Sequence, residues 1–153
     1  MNDRTALLER YRTGYQAVED ALAEITPDEL DRAPTAGWSA RQIVHHLADS
    51  EAMAYIRLRR VIADDQPIIH GYDEGGFAQR LHYERPIEPA LAVLKAVREA
   101  SLELLESLTP EEWGRSGTHT ESGPYSVDRW LSIYANHGLD HGEQIRRARR
   151  GEA

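Results

Sequence analysis

Apolar residues recur every three or four positions in four long segments of the chain, and this repeat restricts the fold more than any other feature. The segments run from about Asp3 to Ile25, Ser39 to Ile62, Glu88 to Leu108 and Ser126 to Arg150. Such spacing places apolar side chains along one side of an α-helix, the side that a helix buries. No strand signal accompanies them. The chain is therefore predicted to be all-α, a four-helix bundle in a single domain of residues 1–153.

The two halves of the chain resemble one another. Each contains a Thr-Pro-acidic-Glu motif, at residues 26–29 and 109–112, and each motif is followed by a polar loop and a helical segment with His-x-x-Asp. A Pro at the start of such a motif stops the preceding helix. The match predicts two helix pairs related by a pseudo-two-fold axis, with His46 and His137 on facing helices.

The link between the second and third segments, residues 64–86, is long and has no helical stripe. Pro and Gly residues interrupt it, although a short helix fits residues 76–83. A link of this length within a compact domain is usually functional or a crossover. A crossover here would make the second and third helices parallel. The shorter links predict antiparallel neighbours for the first and second helices and for the third and fourth.

Composition limits the class of function. The net charge of −8 argues against nucleic acid, which proteins bind mainly through Lys and Arg. No apolar run approaches the ~20 residues that span a bilayer, and the N-terminus lacks a secretory signal, so no membrane contact and a cytoplasmic location are expected. Because the chain has no cysteine, His, Asp and Glu are the remaining protein ligands for a metal.

Three histidines lie on apolar helix sides. His137 and His141 are four residues apart on the fourth segment, and His46 shares the apolar side of the second segment. The adjacent His45, rotated by about 100°, is predicted to lie nearer the flank with Arg41.

These three inward imidazoles can converge in the middle of the bundle. Three histidines leave positions open on Zn²⁺, Ni²⁺, Fe²⁺ or Mn²⁺, as in catalytic rather than closed structural sites. The alternative is a set of core histidines hydrogen-bonded to tyrosine, aspartate or backbone. Asp49 and Asp140 could each orient a ring through a hydrogen bond. Because each lies one position off the apolar side, an exposed carboxylate is the simpler expectation for both.

Several motifs together resemble the DinB-like superfamily, the DinB/YfiT metalloproteins. The resembling residues are Trp38-Ser39, the run from His46 to Glu51, Tyr72-Asp73-Glu74, and Tyr134 through His141 to Ile145. The resemblance implies a four-helix bundle of up-down-down-up topology with a long crossover between helices 2 and 3. It also implies a divalent metal ion held by His46, His137 and His141. A homodimer is expected both from the resemblance and from Trp113, an aromatic residue that the helical pattern leaves unexplained.

The resemblance implies several activities. Some relatives are transferases that use a low-molecular-weight thiol such as bacillithiol, mycothiol or glutathione, and others are mycothiol-dependent isomerases. The leading hypothesis is a metal-dependent thiol transferase acting on small electrophiles, in which the metal lowers the pKa of the thiol. A metal-dependent hydrolase that activates water and a non-catalytic metal- or ligand-binding dimer are the alternatives.

Either reaction would benefit from a nearby base. The candidate catalytic residues are Tyr72, Asp73 and Glu74 in the crossover, with Glu51 as a further possibility. The competing interpretation of residues 72–74 is a turn that packs and caps.

Overall fold

The structure, a computed structural model that describes residues 3–153, is a helical bundle with a small sheet at one end. Its elements in chain order are α1 (Asp3–Leu22), α2 (Pro27–Asp31), α3 (Ala40–Ala63), β1 (Ile68–Ile69), α4 (Glu74–Arg80), α5 (Glu88–Ser107), α6 (Pro110–Trp113), β2 (Ser116–His119), β3 (Gly123–Ser126), α7 (Val127–Tyr134) and α8 (His137–Arg149).

Side-chain caps fix the starts of several helices. The Ser39 hydroxyl accepts the Gln42 backbone N–H, and the Gln42 side chain accepts the Ser39 N–H, which together form a capping box. The two Thr-Pro motifs form the same box at Thr26 and Thr109. Each motif therefore starts a short helix of its own, α2 or α6, just after a long helix ends.

The four long helical units surround two apolar core clusters. One lies around Tyr11, Leu58 and Trp130, and the other around Val18 and Ile43. Both α1 and α3 pack against α5 and α8, whereas α1 and α3 themselves face each other diagonally. The prediction that short links join neighbouring helices is therefore wrong, because residues 23–39, folded in part as α2, reach across the end of the bundle.

The contacts between α3 and α5 advance in the same direction along both helices. Glu51 pairs with Arg98, and further along Arg59 donates to Ser101. Parallel neighbours make such contacts. Residues 64–87, which hold β1 and α4, return the chain to the end of the bundle where α5 begins.

Small residues let α1 and α8 approach closely. A Cβ atom on Gly138 would lie 2.7 Å from the Gly14 backbone oxygen, and one on Gly142 would lie 3.1 Å from the Ala17 oxygen. The first distance is shorter than a Cβ atom tolerates, so only glycine at position 138 allows α8 to pack this closely against α1.

Two features depart from the predicted all-helical pattern. Strand β1 pairs in parallel with β2, which pairs antiparallel with β3, and these two- to four-residue strands are too short for a period of two to appear in the sequence. The fourth helix is also interrupted, since α7 ends at Tyr134 and α8 begins at His137 after a turn.

Candidate metal centre

Three imidazoles converge where α3 meets α8. The ring centroid of His46 lies 4.9 Å from that of His141 and 6.0 Å from that of His137, and the latter two are 4.6 Å apart. One nitrogen from each ring lies within 4.8 Å of the others. Such a spacing suits three nitrogens that would each bind one ion over about 2.0–2.1 Å.

Hydrogen bonds orient two of the rings. Nδ1–H of His137 donates to the Glu51 carboxylate over 3.1 Å, and Nδ1–H of His141 donates to the Gln144 side-chain oxygen over 2.6 Å. A proton on Nδ1 leaves the lone pair of Nε2 free for a metal ion. Both rings are therefore held in the tautomer that a ligand needs.

Burial keeps two of the three rings, those of His46 and His141, uncharged. It lowers the pKa of His46 to about 3, with the adjacent His141 and His137 adding to the effect. Burial, and then His137, also lowers the pKa of His141. A pair of neutral imidazoles at neutral pH has lone pairs to donate, so the donor set fits a first-row divalent ion.

The carboxylate behind His137 is Glu51, not Asp49 or Asp140. Glu51 is 1% exposed and forms an ion pair with Arg98, which is 3% exposed. Arg98 also donates to the Tyr11 backbone carbonyl over 2.7 Å. Glu51 thus orients a ring rather than standing free as a base. The sequence signal that could have indicated this pair is an acidic residue on the buried side of one helix, Glu51, and a basic residue on the buried side of another, Arg98.

His45 is buried as well, which contradicts its predicted place near the flank. It is 2% exposed, its Nε2–H donates to the Arg85 carbonyl over 2.9 Å, and its ring stacks on Tyr83 at 5.4 Å. The crossover covers this side of α3, so a flank position becomes an interior one. Asp49 lies under the same cover, where it accepts the Tyr83 hydroxyl at 2.7 Å.

Tyr72, Asp73 and Glu74 line an open polar groove of about 660 Å³. Burial raises the pKa of Tyr72 to about 12, so its hydroxyl keeps its proton. Asp73 caps α4 by accepting the Gly76 N–H at 2.9 Å, whereas Glu74 is exposed in the first turn of that helix. Asp73 therefore caps a helix, as expected if residues 72–74 form a turn that packs and caps.

Tyr134 connects this groove to the histidines. Its hydroxyl accepts from Arg57, a groove residue, over 3.2 Å, and its ring stands edge-on to His137 with centroids 5.6 Å apart. The groove and the histidine cluster therefore lie on two sides of one tyrosine. The sequence analysis did not single out Arg57.

Trp113 has an intramolecular explanation. It is 7% exposed, and the Arg4 guanidinium lies 4.2 Å from its ring centroid. This packing removes Trp113 as a reason to expect a homodimer. The homodimer remains a prediction, which sedimentation at micromolar concentration tests.

Comparison with known proteins agrees with this architecture. The sequence profile of the DinB superfamily matches residues 10–145. The chain belongs to the DinB superfamily. It is 37% identical over 125 residues to an Oceanobacillus iheyensis protein named a "Putative metal-dependent hydrolase", covering 81% of this chain and 73% of that protein. A Halalkalibacterium halodurans protein of the same name is 29% identical over 127 residues, covering 81% and 74%.

A solved DinB-like structure has the same fold. YfiT from Bacillus subtilis, described as "a probable metal-dependent hydrolase with an unusual four-helix bundle topology", superposes with a TM-score of 0.85 at 24% identity. The match covers 100% of this chain and 91% of YfiT. The four-helix bundle predicted from the sequence is confirmed. Within residues 3–153, no helix has the length and apolar character needed to cross a bilayer.

Proposed function

We propose that this DinB-superfamily chain is a metal-dependent hydrolase whose ion is bound by His46, His137 and His141. The observation that carries the proposal is the convergence of three ligand nitrogens within 4.8 Å, with two rings held by Nδ1 hydrogen bonds. The names of the relatives from Oceanobacillus and Halalkalibacterium support it. Zn²⁺, Ni²⁺, Fe²⁺ and Mn²⁺ all accept such a donor set.

A bound divalent ion would supply Lewis acidity and a lowered pKa for water. The chain's own residues have separate tasks. Glu51 and Gln144 keep the two α8 imidazoles in the ligating tautomer. Tyr72, protonated because of its raised pKa, donates a hydrogen bond to the substrate. Glu74 is exposed and, unlike Asp73, does not cap a helix, so its carboxylate accepts a proton. Asp73 positions Glu74 by capping α4.

Thiol transfer is the second candidate, because an open three-histidine site accepts a thiolate as readily as water. Tyr72 and Glu74 would serve either reaction in the same roles. The two candidates differ in whether turnover requires an added thiol.

Removing a ligand is expected to abolish metal binding. In protein purified without a His tag, His46→Ala and His141→Ala should each retain less than about a tenth of the wild-type metal, since two imidazoles hold a divalent ion far more weakly than three. Mass spectrometry of bound metal measures this. His82→Ala, which changes an exposed histidine in the crossover, should retain full metal content. Unchanged metal in both ligand variants would show that the ligand set is wrong.

Activity is tested with metal-loaded protein on a panel of nitrophenyl esters and activated amides, with and without bacillithiol, mycothiol or glutathione. We expect thiol-independent turnover that a chelator removes and added metal restores. Turnover only with a thiol would identify a transferase. A complete lack of turnover by metal-loaded protein would favour a non-catalytic binding protein.

A further inference from the structure

The groove beside the metal centre contains a guanidinium with an unused donor. Arg57 donates through Nη1 to the Tyr134 hydroxyl at 3.2 Å and through Nη2 to the His70 carbonyl at 2.8 Å. Its Nε atom is shielded from solvent and has no hydrogen-bond partner within residues 3–153. A buried donor without an acceptor is costly, and such atoms in native proteins call for an explanation.

Within residues 3–153 Arg57 has no acidic partner, unlike Arg41 and Arg60 on the same helix. Arg59 has none either, but it donates to the Tyr55 carbonyl and the Ser101 hydroxyl. Arg41 pairs with Asp31, and Arg60 pairs with Asp64. Among the described residues no carboxylate forms an ion pair with Arg57. A half-buried cation is ordinarily paired with an anion, and here that anion is not supplied by the part of the chain that the structure covers.

Two further donors line the same groove. The Tyr72 hydroxyl is buried next to Ser50 and, within residues 3–153, meets no partner in hydrogen-bond geometry. His119 accepts the backbone N–H groups of Glu121 and Ser122 on Nδ1, at 3.1 and 3.4 Å. Because Nδ1 accepts, the proton of the neutral ring is on Nε2, which is therefore a donor.

The groove also contains an unpaired negative charge. Glu121, in the β2–β3 turn, lies so close to Gly71 that a Cβ atom there would come within 2.7 Å of its carboxylate. It forms no ion pair with any cation of residues 3–153. Glu121 and Arg57 thus carry opposite charges in one groove without being in contact.

We propose that this groove binds an amino-acid-like zwitterion, as the substrate class of the metal site. The carboxylate of the ligand accepts from Arg57, Tyr72 and His119, and its ammonium group pairs with Glu121. The net charge of −8 on the chain disfavours a purely anionic ligand, whereas a zwitterion carries no net charge to repel. This inference rests on the proposed function in that it supplies the substrate of that site.

The test uses four probes that separate the two charges. L-alanyl-L-alanine carries both groups, N-acetyl-L-alanine only the carboxylate, L-alaninamide only the ammonium, and inorganic phosphate is a simple anion. Titration calorimetry on the wild-type protein should find the dipeptide bound at least tenfold more tightly than the other three. Equal affinity for N-acetyl-L-alanine, or tighter binding of phosphate, would overturn the assignment of a zwitterion.

Variants locate the binding. Arg57→Gln should weaken the dipeptide at least tenfold, and Arg57→Lys less, because the charge remains while the planar donor edge is lost. Glu121→Gln should lower dipeptide affinity to that of N-acetyl-L-alanine. The matched control is Arg60→Gln, since Arg60 also donates from α3 to a crossover carbonyl, that of Ile68, but lies outside the groove. An Arg60→Gln loss equal to that of Arg57→Gln would overturn the proposal.

Tyr72→Phe tests the site even if the charge variants fail to fold, because it removes only a hydroxyl. It should lower the affinity for the dipeptide several-fold. None of the three histidines lines the groove. Binding should therefore persist in metal-free protein and in His141→Ala. Dipeptide binding without any turnover would refute the hydrolase and support the zwitterion site. Ester turnover without dipeptide binding would support the hydrolase and refute the zwitterion site.

Discussion

Replacing Glu51 by alanine is expected to lower the free energy of unfolding by about 3–5 kcal/mol, because it leaves the buried guanidinium of Arg98 without a counter-charge. Arg98 is 3% exposed and its Nε already lacks a partner within residues 3–153. A water molecule in the space left by the carboxylate would not supply a counter-charge. Urea denaturation of metal-free protein, followed by circular dichroism, measures the change.

An exposed ion pair provides the control for this experiment. Glu106→Ala removes the partner of Arg12 on the surface between α1 and α5 and should cost at most about 1 kcal/mol. Adding Arg98→Met to Glu51→Ala should recover part of the loss, since a buried charge is then removed with its partner. Equal costs for Glu51→Ala and Glu106→Ala would contradict the burial argument.

The Glu51 variant should also weaken metal binding by about 10–100-fold, the usual effect of removing the group that orients a ligating histidine. His137 loses the acceptor of its Nδ1–H and with it the fixed tautomer. Competition with a chelator at a temperature where the variant is folded separates this effect from stability. An unchanged metal affinity would show that Glu51 acts on folding alone.

Gly138→Ala is expected to destabilise the bundle by about 1–3 kcal/mol, because the new methyl group meets rigid backbone and α8 has to move away from α1. Its Cβ would lie 2.7 Å from the Gly14 oxygen, and no flexible side chain can give way. Since α8 carries His137 and His141, the same movement should lower metal affinity. Denaturation and chelator competition measure the two effects.

The matched control is Gly142→Ala, one turn further along α8. Its Cβ would lie 3.1 Å from the Ala17 oxygen, a mild crowding that the helix propensity of alanine, worth about 1 kcal/mol, offsets. We therefore expect Gly142→Ala to be close to neutral. Losses of similar size at both positions would mean that the approach of α1 and α8 does not limit stability.

Local features of the sequence predicted the helices and the histidine cluster. The periodic apolar residues and the inward positions of His46, His137 and His141 depend on residues within a turn or two of one another. These interactions are independent of the rest of the fold. The structure accordingly brings the three predicted histidines together.

Contacts between distant parts of the chain were beyond such reasoning. The sequence considered Asp49 behind the rings, but the Glu51 carboxylate takes that place because α5 supplies Arg98. It put His45 near the flank, yet the crossover covers that side and makes it interior. The short strands form only because two distant loops meet at one end of the bundle.

By itself the sequence determined that the chain forms amphipathic helices and that His46, His137 and His141 lie on their apolar sides, because periodicity acts within one helix. The tertiary structure decided which helices are neighbours, how close α1 and α8 come, and which charges are left unpaired in the groove. Those outcomes depend on pairs such as Gly14 with Gly138 and Glu51 with Arg98. Their partners meet only when the core assembles, so no local pattern records them.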